Sequence, residues 1–205
     1  MDNNYFEQIK ARILSSDKGT TYITSDFADI ADINSINQSL HRLLKAGVIR
    51  RVLRGVYEYP EYSDFLNEFI AASPHNIAEA LARNYGWVIV PSGDTALNQF
   101  GLSTQVPAIW TYVSTGSYKK YTYDKVTITF THTTSKDLAK FSYKTALLIQ
   151  SLKAIGNGNI SDSQIQKLST RLTASEKTSA LAEAQHSTSW VYAAIKKICN
   201  GGTTV

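Results

Sequence analysis

The chain has 205 residues, of which 43% are hydrophobic and 19% are charged, and its formal net charge is +4. These values are typical of a globular protein with one large or two small domains. The single cysteine, Cys199, excludes an internal disulfide and favours a reducing, cytoplasmic setting. We find no export signal and no apolar run long enough to span a bilayer, so no membrane partner is expected.

The first third of the chain follows the element order of a winged helix-turn-helix. Apolar residues recur on one face of residues 5–14, which predicts a first helix. A short strand is predicted at Tyr22-Ile23, and Ser25 is expected to cap a short helix after it. This order predicts a winged helix-turn-helix, a fold in which the second helix of the motif lies in the DNA major groove.

That second helix is indicated by an apolar stripe at helical spacing. Asn34 or Ser35 is the expected N-cap, and Gly47 is expected to end the helix because glycine tolerates a left-handed backbone. The pattern Ser35-x-x-Gln38 also fits a capping box, in which Gln38 would serve the helix end. The stripe itself consists of Ile36, Leu40, Leu43 and Leu44.

A basic hairpin is predicted immediately after this helix. Residues 48–53 and 56–59 have strand-like composition, Arg54-Gly55 forms the turn between them, and Pro60 ends the return strand. From Ile33 to Tyr57 the sequence has five basic residues and no acidic one, which suits contact with phosphates. The candidate DNA-binding residues are Ser35, Asn37, Gln38, His41, Arg42, Lys45, Arg50, Arg51 and Arg54.

The rest of the chain predicts a second domain, so we divide the sequence into residues 1–62 and 63–205. Helices are expected over residues 65–72 and from Pro74 to Gly86, and a short strand over residues 87–90. Residues 107–134 have the composition of strands, and helices follow from Leu138 onward. The predicted fold class is α+β: an N-terminal winged helix-turn-helix, then a mixed α/β domain with a small, mainly antiparallel sheet and C-terminal helices.

No pattern typical of an enzyme is found, and we expect no catalytic residue, metal ligand or cofactor. The loop Ser92-Gly93-Asp94-Thr95 lacks the spacing of a phosphate-binding loop and suits a helix cap. The histidines are scattered, and acidic residues are sparse after Glu79.

Residues 118–125 alternate tyrosine and lysine, which fits either a nucleic-acid surface or a half-exposed hairpin. Lys136, Lys140 and Lys144 would form a basic helical stripe.

Two stretches resemble the AbiEi-type antitoxins of type IV toxin–antitoxin systems, in their smaller branch. One is Leu53-Arg54-Gly55-Val56-Tyr57 with Tyr59-Pro60, and the other runs from Pro91-Ser92-Gly93-Asp94-Thr95 to Pro107. The resemblance implies a bacterial protein whose N-terminal winged helix represses its own operon. It also implies a C-terminal domain that counters a nucleotidyltransferase-like toxin, with or without direct binding. The DNA-contacting elements of the family correspond to residues 35–46 and 50–54.

The sequence therefore predicts a DNA-binding antitoxin that acts as a transcriptional autorepressor. Its expected DNA partner is double-stranded operator DNA, with inverted repeats. One alternative is a protein-interaction module that docks a cognate toxin without binding DNA, because winged helices also serve that purpose. A nuclease fused to a winged helix is a third hypothesis.

Overall fold

The computed structural model describes residues 2–133, 138 and 140–201 and shows a mixed α/β protein with small sheets. The chain divides into two compact units, the first ending at Gly86 and the second beginning at Trp87. The first unit contains, in chain order, α1 (Asp2–Leu14), β1 (Thr21–Tyr22), a 3₁₀ helix (Thr24–Phe27), α2 (Ile33–Lys45), β2 (Arg50–Leu53), β3 (Val56–Glu58), β4 (Tyr62–Ser63), β5 (Glu68–Phe69) and α3 (Pro74–Tyr85).

The core of the first unit is built by α1, α2 and the residues that join them. Its three-stranded sheet has the order β1-β3-β2, and both pairings are antiparallel. Burying these apolar side chains stabilises the unit because it removes their surface from water. The buried residues of this cluster are Ile9, Ile13, Tyr22, Phe27, Ile36, Leu40, Leu43 and Ile49.

The expected N-cap of α2 was wrong. The helix begins at Ile33, and the side chain of Asp32 accepts hydrogen bonds from the backbone amides of Asn34 (2.9 Å) and Ser35 (3.1 Å). The capping box Ser35-x-x-Gln38 is therefore not formed. Asp, Asn and Ser are all good N-caps, and three such residues lie within four positions, so sequence alone did not separate them. The end of the helix agrees with expectation, since Gly47 has a φ of 70°.

The N-cap expected for the short helix before α2, Ser25, was also wrong. The segment Thr24–Phe27 is a 3₁₀ helix with Ile23 as its N-cap, and Asp26 accepts a hydrogen bond from the Ile23 amide at 2.9 Å. Phe27 is fully buried, as expected from the apolar pattern. A single 3₁₀ turn therefore precedes α2.

The hairpin of β2 and β3 contains an irregularity that shifts its register. Leu53 faces Val56, but Arg51 faces Tyr57 and Arg50 faces Glu58, so β2 has one extra residue between Arg51 and Leu53. Such a bulge shifts by one position the pairing of the β2 residues that lie beyond it, as counted from the turn. It brings Arg50 opposite an acidic residue.

The helix predicted over residues 65–72 is absent. In its place β4 and β5 form an antiparallel hairpin, with Tyr62 paired to Phe69. Asn67 adopts a φ of 53° in the turn, a left-handed conformation that asparagine tolerates. The apolar side chains have helical spacing, yet they are not buried: Phe65 is 95% exposed.

Helix α3 belongs to the first unit, whereas the sequence interpretation ended the first domain at residue 62. Its N-cap is Ser73 with Pro74 in the first turn, and it ends at Gly86, both as predicted. Asn76 Nδ2 donates to the Gly19 carbonyl (3.1 Å), and the Thr21 hydroxyl donates to the Asn76 carbonyl (2.9 Å). These bonds attach α3 to β1.

The second unit combines one four-stranded sheet with helices. The sheet order is β6-β7-β9-β8; β6–β7 and β8–β9 are antiparallel, and β7–β9 is parallel. The sheet is thus mainly antiparallel, as predicted. Its elements are β6 (Ile89–Pro91), α4 (Gly93–Gln99), β7 (Ile109–Ser114), β8 (Lys119–Tyr123), β9 (Val126–His132), α5 (Tyr143–Ile155), α6 (Asp162–Thr170), α7 (Ala174–Glu183), a 3₁₀ helix (Ala184–His186) and α8 (Ser189–Cys199).

The core of the second unit lies between α4, α5 and the C-terminal helices, where Phe100, Leu148 and Ile195 are buried. Gly116 lies against the indole of Trp87, since a Cβ there would come within 2.0 Å of its ring. Of the predicted lysine stripe, Lys136 lies outside the described residues. Among the helices that are described, none combines the length and apolar character that a bilayer crossing requires.

Candidate nucleic-acid interface

One side of α2 is polar and faces away from the core. Residues of a helix are spaced by about 100°, so Asn34, Gln38, His41 and Lys45 form a row opposite the buried stripe. All four are exposed. We call these four residues the outward row. For none of them is a side-chain hydrogen bond or ion pair recorded within the described part of the chain, which leaves their polar groups available for a ligand.

Arg42 lies beside the outward row, on the side that faces α1. Its guanidinium carbon is 3.9 Å from the centroid of the Phe6 ring, a cation–π contact. Arg42 nevertheless remains exposed. The sequence made Arg42 a candidate DNA-binding residue, and the structure holds its guanidinium against Phe6 at the flank of α2.

Two further sequence candidates on α2 already have partners within the protein. The hydroxyl of Ser35 donates to Asp32 Oδ2 at 2.7 Å, so Ser35 reinforces the helix cap. Asn37 is exposed, and its Oδ1 accepts a hydrogen bond from the Thr24 hydroxyl at 3.0 Å. Asn37 therefore lies on the side of α2 that faces the 3₁₀ helix, opposite to Arg42.

The three arginines of the β2–β3 hairpin have different environments. Arg50 is half-buried; its Nε donates to the carboxylate of Glu58, and its Nη2 donates to the Ile70 carbonyl at 2.6 Å. Arg51 is exposed and makes a long contact with the Leu53 carbonyl at 3.4 Å. Arg54 is exposed in the turn before Gly55, with no side-chain partner recorded in the described residues. Arg51 and Arg54 are thus the hairpin cations that can reach a ligand.

Sequence reasoning missed three residues at the start of α2. Asn34 belongs to the outward row, and Ile33 is 68% exposed although it is apolar. Asp32 carries a negative charge here, and hydrogen bonds from the Ser35 hydroxyl and then from the Ser35 and Asn34 amides lower the pKa of its carboxyl. If Asp32 had been recognised as the N-cap, Ile33 and Asn34 would have been assigned to the first turn of α2.

The other sequence candidates have local roles. Ser92 is the N-cap of α4, and the Thr95 hydroxyl accepts a hydrogen bond from the Thr111 amide at 2.8 Å. The basic-aromatic stretch forms β8 at the edge of its sheet, and Lys119 lies 5.5 Å from the Trp87 ring centroid. In the described residues, no group of three histidine, cysteine or acidic side chains is arranged to hold a metal ion.

The exposed helix α2 with its basic hairpin marks the first unit as a candidate ligand-binding module on a mixed α/β scaffold. The chain belongs to the family of unknown function DUF6088, whose model matches residues 8–180. Among solved structures it is similar to the RV2827C protein from Mycobacterium tuberculosis, with 11% identity and a TM-score of 0.45. That similarity covers 98% of this chain and 76% of the other. No curated protein matches the sequence.

Proposed function

We propose that the first unit is a winged helix-turn-helix that binds double-stranded DNA. The element order from α1 to β3 and the sheet order β1-β3-β2 support this proposal. In this arrangement α2 enters the major groove, and the β2–β3 hairpin is the wing that contacts the adjacent backbone. The same surface serves repression of the protein's own operon.

The observation that carries the proposal is the composition of the exposed surface. Gln38, His41 and Lys45 project from α2, Arg54 projects from the wing, and no acidic residue occurs between Ile33 and Tyr57. DNA affinity depends on neutralising phosphates, and base reading depends on amide and cationic groups at the groove. Both kinds of group are present on one exposed helix and its neighbouring hairpin.

The proposal of an operon with a toxin rests on the sequence resemblance to AbiEi-type antitoxins. We infer an antitoxin of a type IV-like system that represses its own promoter and counters a nucleotidyltransferase-like toxin. The operator is expected to contain inverted repeats, since pairs of DNA-binding units read two half-sites. Direct binding of the toxin is not part of the proposal.

A gel-shift titration with the DNA upstream of the gene tests DNA binding. Lys45→Ala and Arg54→Ala are each expected to weaken binding about three- to tenfold for every duplex sequence, because each removes a phosphate contact. Lys167→Ala is the matched control, since Lys167 is an exposed lysine on α6. Absence of any shift for the wild-type protein, or an equal loss with the control, contradicts the proposal.

A second candidate function, docking of a partner protein, is favoured by the β4–β5 hairpin. Phe65, Leu66 and Phe69 are 95%, 57% and 55% exposed, and clustered exposed apolar side chains mark interaction sites. The exposed acidic residues Glu61, Asp64 and Glu68 flank them. The partner surface that fits is apolar with a basic rim.

Co-expression with the neighbouring gene product separates the two candidates. If the protein is a docking module, the two proteins co-purify, and the double change Phe65→Ser with Leu66→Ser abolishes the complex. Co-purification without a gel shift would select docking over DNA binding. A gel shift that the double change leaves intact supports the DNA-binding proposal.

A further inference from the structure

The beginning of α2 carries an amide and an apolar side chain on one side, one helical turn apart. Ile33 and Asn37 are four positions apart, so their side chains are neighbours on the helix surface. An open recess with a volume of about 780 Å³ lies beside them, and its wall includes Thr24, Ala28 and Ala31. Asn37 and Ile33 give this recess one amide and one apolar contact on the same side of α2, and its lining also includes the polar residues Asp32, Asn34 and Asn84.

The amide of Asn37 is oriented before any ligand arrives. The Thr24 hydroxyl donates to its Oδ1 at 3.0 Å. That oxygen retains a second lone pair, and Nδ2 retains two donor hydrogens. An acceptor and a donor side by side match the N6 donor and N7 acceptor of adenine in the major groove. Because the hydrogen bond from Thr24 restricts the side-chain rotamer, less conformational entropy is lost on binding.

Ile33 supplies the apolar contact. It is 68% exposed in the first turn of α2, on the same side as Asn37. The thymine 5-methyl group is the apolar feature that the major groove presents. A guanine contact would need a cation, and the arginine of α2, Arg42, lies on the opposite flank of the helix against Phe6.

We propose that Asn37 and Ile33 determine sequence specificity, and that the preferred ligand is duplex DNA with adjacent adenine and thymine bases in its major groove. Asn37 reads the adenine, Ile33 packs on the thymine methyl group, and Thr24 is a positioning residue that acts through Asn37. This inference rests on the proposed DNA-binding function and names the base pairs that the same surface selects.

Selection from a pool of random duplexes measures the preference at each base position. The wild-type protein is expected to enrich adenine next to thymine. Asn37→Ala is expected to lose the adenine preference at one position, by about five- to one-hundredfold, and to keep its affinity for the unselected pool. Both Ile33 and Asn37 are exposed, so the variants are expected to fold, and urea unfolding checks this.

Replacing the selected thymine by uracil deletes only the 5-methyl group. We expect this change to weaken wild-type binding about three- to fivefold, as the loss of one buried methyl group predicts. It is expected to leave Ile33→Ala unaffected. Thr24→Val is expected to lower the discrimination of adenine from guanine without changing affinity for the pool, and Thr24→Ser is expected to restore it.

The outcomes distinguish this inference from the proposed function. If the wild-type protein binds no duplex in the pool, the DNA-binding function itself is overturned. If it binds duplexes but enriches no adenine–thymine pair, only the specificity inference is overturned. The same conclusion follows if Ile33→Ala remains as sensitive to uracil as the wild-type protein.

Discussion

Arg50 and Glu58 face each other across β2 and β3, and the guanidinium Nε donates to a carboxylate that is only 2% exposed. A buried carboxylate is costly unless it is paired and hydrogen-bonded. Arg50 also donates to the Ile70 carbonyl at 2.6 Å, so one side chain joins the β2–β3 hairpin to the end of the β4–β5 segment. This arginine therefore has a structural role that its place in a basic stretch does not indicate.

Replacing Arg50 tests that role. Arg50→Ala leaves the Glu58 carboxylate buried without its cation, and we expect the free energy of unfolding to fall by about 2–4 kcal/mol. Urea unfolding at neutral pH measures it. The matched control is Arg51→Ala on the same strand, whose exposed side chain predicts a change within about 0.5 kcal/mol. Equal losses for the two variants would contradict the structural role.

The pairing of Arg50 with Glu58 also affects the salt dependence expected for DNA binding. With Arg50 paired to Glu58, four cations of α2 and the β2–β3 hairpin remain for the proposed phosphate contacts: Arg42, Lys45, Arg51 and Arg54. The slope of log affinity against log salt is then expected to be about −3.6, because each neutralised phosphate contributes about −0.9. Titrations at several salt concentrations measure the slope. A slope near zero, or one well beyond −5, would show that other groups carry the binding.

Asp32 offers a test in which charge and helix capping separate. Asp32→Asn keeps an N-cap acceptor and removes a negative charge beside α2, the helix proposed to face DNA, so it is expected to raise DNA affinity. Asp32→Ala removes the cap and is expected to lower the melting temperature as well. Comparing gel shifts and thermal unfolding of the two variants distinguishes charge from capping. If Asp32→Asn weakens DNA binding, α2 does not face the phosphates.

The same residue predicts a pH dependence of stability. Hydrogen bonds from Ser35 and Asn34 lower the pKa of Asp32 in the folded state. A lowered pKa contributes stability that is present above the ordinary pKa of about 4 and is lost as the pH falls through the folded value. The stability difference between wild type and Asp32→Ala is therefore expected to shrink between about pH 5 and pH 2, as urea unfolding would show.

The pKa of Glu79 on α3 is shifted in the opposite direction to that of Asp32. Burial raises the pKa of its carboxyl, while His75 and Arg83 act against that shift. A raised carboxyl pKa favours the folded state at low pH, and that contribution is lost as the pH rises through the folded value. Glu79→Gln is therefore expected to be more stable than wild type at pH 7, with the advantage vanishing below about pH 4. The exposed Glu68→Gln serves as the control in urea unfolding.

Sequence periodicity predicted α2 well, because Ile36, Leu40 and Leu43 are buried at the spacing of one helical face. The same reasoning failed for residues 65–72. There, Phe65, Leu66 and Phe69 also have helical spacing, but the segment is a hairpin whose apolar side chains face outward. Periodicity reports a helix only when the apolar face has a core to contact.

The roles of the site residues were harder to predict because they depend on geometry that is not local. With a regular hairpin turned at Arg54-Gly55, Arg50 would pair with Tyr59. The bulge in β2 instead places it opposite Glu58. Likewise, the contact of Arg42 with Phe6 depends on how α1 packs on α2. Composition identified the basic region, but only the register and the packing separate its structural cations from its available ones.

The attachment of α3 to β1 determines where the first unit can be cut. A fragment that stops at residue 62 would lose Asn76, which bonds to the Gly19 carbonyl and the Thr21 hydroxyl. It would also lose Arg83, which donates to the Thr21 carbonyl and to Asp26. It would also strip the apolar face of α3, including Ile77 and Leu81, from its unit. The shortest fragment of the first unit that folds on its own should therefore extend through Gly86, and truncations before α3 should be recovered as aggregates.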